Sequence, residues 1–143
     1  QFRSLVKSKD ETIAGLSEKA LKEVTYHVRH SYEWIIRLGD GTAESHRRAQ
    51  DALDELWSFT DELFDMVVVD ALLIKEGIAV DLNTLRAEWD QLVDEVLGKA
   101  TLVRPAMKGY QSKGGIYGNH TEHLGHMLSE MQFLPRAYPD AKW

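Results

Sequence analysis

The chain has 143 residues and a mass of 16.3 kDa, with 43% hydrophobic and 28% charged residues, a balance that suits one folded domain with a modest core. Its formal charge of −6 and pI near 5.5 argue against nucleic acid as a partner, because phosphate binding draws on clustered Lys and Arg. No apolar run approaches the roughly 20 residues that span a bilayer, nothing reads as a secretory signal, and the lack of cysteine excludes disulfides, thiolate metal sites and cysteine nucleophiles; no membrane association is expected and the cytoplasm is the expected compartment.

The chain starts at Gln1, and "QFRSLVKSKDE" reads as though already helical, with Phe2, Leu5 and Val6 at helical spacing, so the expectation is a piece of a longer chain. From about 11 to 38 the positions Ile13, Leu16, Ala20, Val24, His27, Ser31, Ile35 and Leu38 recur at steps of three and four, which predicts a long amphipathic helix. "GDGT" stops it: Gly39 can take the left-handed conformation past a helix end and Thr42 can cap the next helix, so the chain should turn back antiparallel.

The set Ala49, Ala52, Leu53, Leu56, Trp57, Phe59, Leu63 and Phe64 predicts a second helix over about 43–64. "DMVVVDALLIKEGIAVD" reads as a short connecting helix with Asp70 as its cap and Gly77 as its stop. Asp81 can cap a third long helix over about 82–98, striped by Leu85, Trp89, Leu92, Val93, Val96 and Leu97. Residues 104–119, rich in Gly with Lys108 and Lys113, predict a flexible exposed loop. The last helix, about 120–137, presents Leu124, Met127, Leu128, Met131 and Leu134, with Pro135 kinking or ending it. The fold class is therefore all-α, an antiparallel helical bundle in a single domain over 1–143.

Two clusters carry chemistry. His27 falls inside the apolar stripe and should point inward, with Glu23 one turn earlier at the stripe's edge. A carboxylate-bridged iron pair takes Glu-x-x-His from a helix, and three residues before His27 stands Val24, which has no lone pair to give. A hydrogen-bonded core His–Glu pair is the simpler reading, and truncating His27 should then cost about 1–3 kcal/mol. In "NHTEHLGHMLSE" His120, His123 and His126 step by three, with Glu122 and Glu130 each four from His126. Steps of three drift round a helix, so these are weaker metal candidates; Glu122 reads as a dipole partner and His120 or Asn119 as a cap. Tyr26, Trp34, Trp57, Phe59 and Trp89 read as packing rather than a ligand box.

The phrases "EVTYHVRHSYEWIIRLGDGTAESHRRAQDALDELWSFTDELF", "EGIAVD" and "HTEHLGHMLSEMQFLPRAYPDAKW" resemble the C-terminal half of PaaC-type subunits of the bacterial ring-1,2-phenylacetyl-CoA epoxidases, from Phe2 to Trp143. The resemblance implies a ferritin-like helical scaffold, without catalytic residues or a cofactor of its own. It also implies a homologous catalytic di-iron subunit and a small bridging subunit as partners, and it places that sister subunit's iron-binding Glu at the position of Val24. Two rivals stand beside it: an active metal-dependent oxygenase subunit using Glu23 and His27 with His123 or Glu122, and a binding module gripping an anion with Lys108 and Lys113.

Overall fold

The computed structural model describes residues 1–106 and 109–142, and every regular element among them is helical. The chain divides into two compact units, Gln1–Ser112 and Lys113–Trp143.

In the first unit, α1 (Phe2–Leu5) is a single turn and α2 (Glu11–Gly39) runs for 29 residues. The Asp10 carboxylate starts α2 by accepting the N–H groups of Thr12 and Ile13 at 2.9 and 3.0 Å, which satisfies two donors that a helix start leaves open. Thr42 caps α3 (Ala43–Leu56), its hydroxyl accepting the Ser45 N–H at 3.1 Å. As the tight connection predicts, α3 returns antiparallel: Leu53 near its far end lines the same groove as His27, Val28 and Ser31 of α2.

The expected helix over 43–64 stops early. Beyond Leu56 the chain tightens into 3-10 turns at Trp57–Phe59 and Asp61–Phe64. The Thr60 hydroxyl donates to the Trp57 carbonyl at 2.8 Å, a local bond of the kind that competes with regular helix. The connecting helix is present as α4 (Val68–Lys75), ended by Gly77 at φ +76°. Asp70 is not its cap residue: it lies inside the first turn, and its carboxylate reaches back to accept the Val67 N–H at 2.7 Å. Asp81 accepts the Asn83 N–H at 2.9 Å and opens a 3-10 turn, Leu82–Leu85, before α5 (Arg86–Lys99). α5 runs in the direction of α2, since Leu92 and Val93 line the groove beside His27 while Ala100 packs on Gly39.

The core sits where the end of α2, the middle of α3 and the end of α5 meet. Leu97, Ala100 and Leu102 are buried there against Ile36, Ala49, Leu53 and Val93. Gly39 is helical and does not adopt the left-handed conformation; its role is close approach, because a Cβ at that position would stand 2.3 Å from the Ala100 carbonyl oxygen. The Gly39 carbonyl accepts from His46 Nδ1 at 2.7 Å and from the Thr101 hydroxyl at 3.3 Å, tying all three helices at one point. Beyond α5, Gln50 holds the extended strap through both sides of one residue: its carbonyl accepts the Val103 N–H at 2.8 Å and its amide donates to the Val103 carbonyl at 2.9 Å.

Next on the strap is Arg104, whose guanidinium lies 5.1 Å from the Trp57 ring centre and 5.6 Å from that of Trp89 while it donates to Asp90 and, at 2.7 Å, to Asp94. Arg86 mirrors it, 4.5 Å from the Phe64 ring centre and bound to Asp61 at 3.0 Å. Two cations and three rings thus clasp α5, the 3-10 turns and the strap together. The hydrogen bond from Arg104 holds the Asp90 carboxyl below its ordinary range.

In the second unit, Gly114, Gly115 and Asn119 shape a turn around the 3-10 segment Gly115–Tyr117, with the Asn119 N–H donating to the Gly114 carbonyl at 2.9 Å. α6 (Glu122–Ala137) follows. Thr121 occupies its cap position without a side-chain bond, so neither His120 nor Asn119 caps it. Pro135 lies within the last turn and the helix continues two residues past it, so it does not end the helix.

Two outcomes follow from this packing. Gly39→Ala should lower stability by about 3 kcal/mol through overpacking against Ala100, while Gly98→Ala, whose added Cβ would meet nothing within 4 Å, should be neutral or stabilising by up to about 1 kcal/mol; urea midpoints compare them. Because the folded Asp90 carboxyl titrates below the unfolded value of about 3.9, its stabilising contribution is present above that pH and is lost as pH falls through the folded value. Urea midpoints of wild type and Asp90→Asn should therefore differ most above pH ~4 and converge below it.

Candidate functional site

Position along α2 decides what its side chains can do, because successive residues turn by about 100°. α3 and α5 cover the side bearing Ile36 and Gly39, and Val24 is half-buried, whereas Leu16, Glu23, Tyr26, His27, Trp34 and Leu38 are exposed. His27 therefore does not point into the core. The expected stripe is wider than two neighbouring helices cover, and His27 falls on the uncovered part, about 60° from Val24.

At its inner edge this open face meets a groove of about 350 Å³ between α2, α3 and α5. Val28, Ile35, Leu53, Leu92, Val93 and Val96 give it apolar walls, with His27, Ser31 and Tyr32 as polar groups on the α2 side. Trp57 also lines the groove; it is 5% exposed, and its buried Nε1 has no hydrogen-bond acceptor among the described residues. The α5 residues that line this groove, and Ser31 on α2, belong to the stripes that periodicity marks, whereas nothing in the sequence marks Tyr32 as a groove group. No local signal could do so, since the opposite wall is contributed from about sixty residues further along the chain.

Along the exposed side of α2 the rings form a ladder. His27 lies edge-on to Tyr26 at 6.1 Å, Tyr26 stacks on His30 at 5.9 Å, His30 meets Trp34 at 6.4 Å, and the Arg37 guanidinium stands 5.5 Å from the Trp34 ring centre. Beside it Arg29 donates to Glu33 at 2.8 Å, which lowers the Glu33 carboxyl and raises the Arg29 guanidinium. The aromatics thus divide: Trp57 is core and Trp89 half-buried, whereas Tyr26, Trp34 and Phe59 are exposed.

Among the described residues no three His, Asp or Glu side chains converge as a metal-binding group. Glu23 and His27 share the exposed face one turn apart, while Val24 is half-buried. A di-iron pair takes about six protein ligands drawn from four helices, of which Glu23 and His27 on α2 could supply two. In the second unit Glu122, His123, His126 and Glu130 are all exposed on α6, and His120 precedes it. Lys113 is exposed ahead of Gly114, and Lys108 lies outside the described residues.

Because His27 is exposed, the loss of about 1–3 kcal/mol expected for a core histidine gives way to a smaller one. His27→Ala should change the urea-unfolding free energy of this chain by less than about 0.5 kcal/mol; a loss beyond about 1 kcal/mol would show that His27 is held in a buried network.

Comparison with known proteins bears on this geometry. Residues 1–143 match the family described as "Phenylacetic acid catabolic protein". The chain is 48% identical over 142 residues to one of the subunits of the 1,2-phenylacetyl-CoA epoxidase of Escherichia coli (strain K12), an alignment that takes in 99% of this chain and 57% of that protein. The chain thus spans little more than half the length of its curated relative. Its all-helical architecture is the one expected of a ferritin-like bundle, and with the match running from end to end, the chain belongs to the phenylacetic acid catabolic protein family.

Proposed function

We propose that this chain is part of a structural, non-catalytic subunit of a cytoplasmic multicomponent oxygenase that epoxidises the ring of phenylacetyl-CoA. In this reading it buttresses a homologous di-iron subunit, and a small bridging subunit joins such pairs. The observation that carries the proposal is the open side of α2. Leu16, Tyr26, Trp34 and Leu38 are 64%, 64%, 47% and 44% exposed along one long helix. A long helix with an apolar open face suits the task of holding a partner's helices in register, since packed helix faces resist small displacements.

One observation favours a second reading. Glu23 and His27 are exposed on that same face, so a partner's side chains placed opposite would meet two metal donors, as in an active oxygenase subunit. Metal analysis separates the two. The subunit purified alone, and again with its catalytic partner, should contain iron only in proportion to the partner. Stoichiometric iron in the lone subunit, lost in His27→Ala, would overturn the scaffold reading.

A further inference from the structure

We draw no further inference here: the strongest candidate, the apolar groove between α2, α3 and α5 that is lined in part by Trp57, whose buried Nε1 has no acceptor among the described residues, lies in a chain that spans 57% of its relative's length, and nothing in the structure shows what covers it.

Discussion

Everything in the first unit hangs on the contact between Gly39 and Ala100. Two helices can approach this closely only where one side offers no Cβ, and here the last residue of α2 supplies that gap to the residue just after α5. The closeness sets the position of α5 against α2. It brings the Gly39 carbonyl within reach of both His46 and Thr101, and it seals Leu97, Ala100 and Leu102 into the small core. Thr101 takes a positive φ of 58°, a conformation that a threonine adopts only where its surroundings over-determine it. The strap beyond it is then held by Gln50, reaching across from α3, and by Arg104, reaching back to α5.

Much of this architecture is legible in the sequence, and the failures have physical causes. Thr42 caps α3 and Gly77 stops α4, as their residue types announce; those are local devices that operate within one turn. Gly39 is different. It looks like a left-handed stop, yet its value lies in a contact with Ala100, far along the chain, and nothing in "GDGT" signals that partner. The helix over 43–64 fails at Trp57 because apolar spacing continues through 3-10 turns much as it does through α-helix, while the Thr60 side-chain bond is invisible to periodicity. The ion clasp of Arg86, Asp61, Asp90 and Arg104 is likewise hidden among residues that read as ordinary surface charge.

His27 is the most instructive departure. A stripe of apolar positions indicates which residues avoid water in the complete assembly, not which of them this chain covers by itself. Ile13, Val24 and His27 belong to one stripe, but α3 and α5 cover only part of it. The uncovered remainder, with Leu16 and Leu38, is the same kind of surface as the covered part, so periodicity cannot divide the two. Spacing therefore assigns His27 to the stripe rightly and to the interior of this chain wrongly.

The grip of Gln50 on Val103 also orders events in time. These residues are 53 apart in the chain, so their mutual capture closes a long loop, whereas α2, the turn at 40–42 and α3 assemble from neighbours. The helical hairpin can therefore form first and present Gln50 ready-made, with α5 and its strap arriving last onto a template. In that sequence the amide proton of Val103 becomes a natural clock for the molecule: it is sheltered from exchange only once the hairpin and the strap have met, and it is exposed again whenever they part.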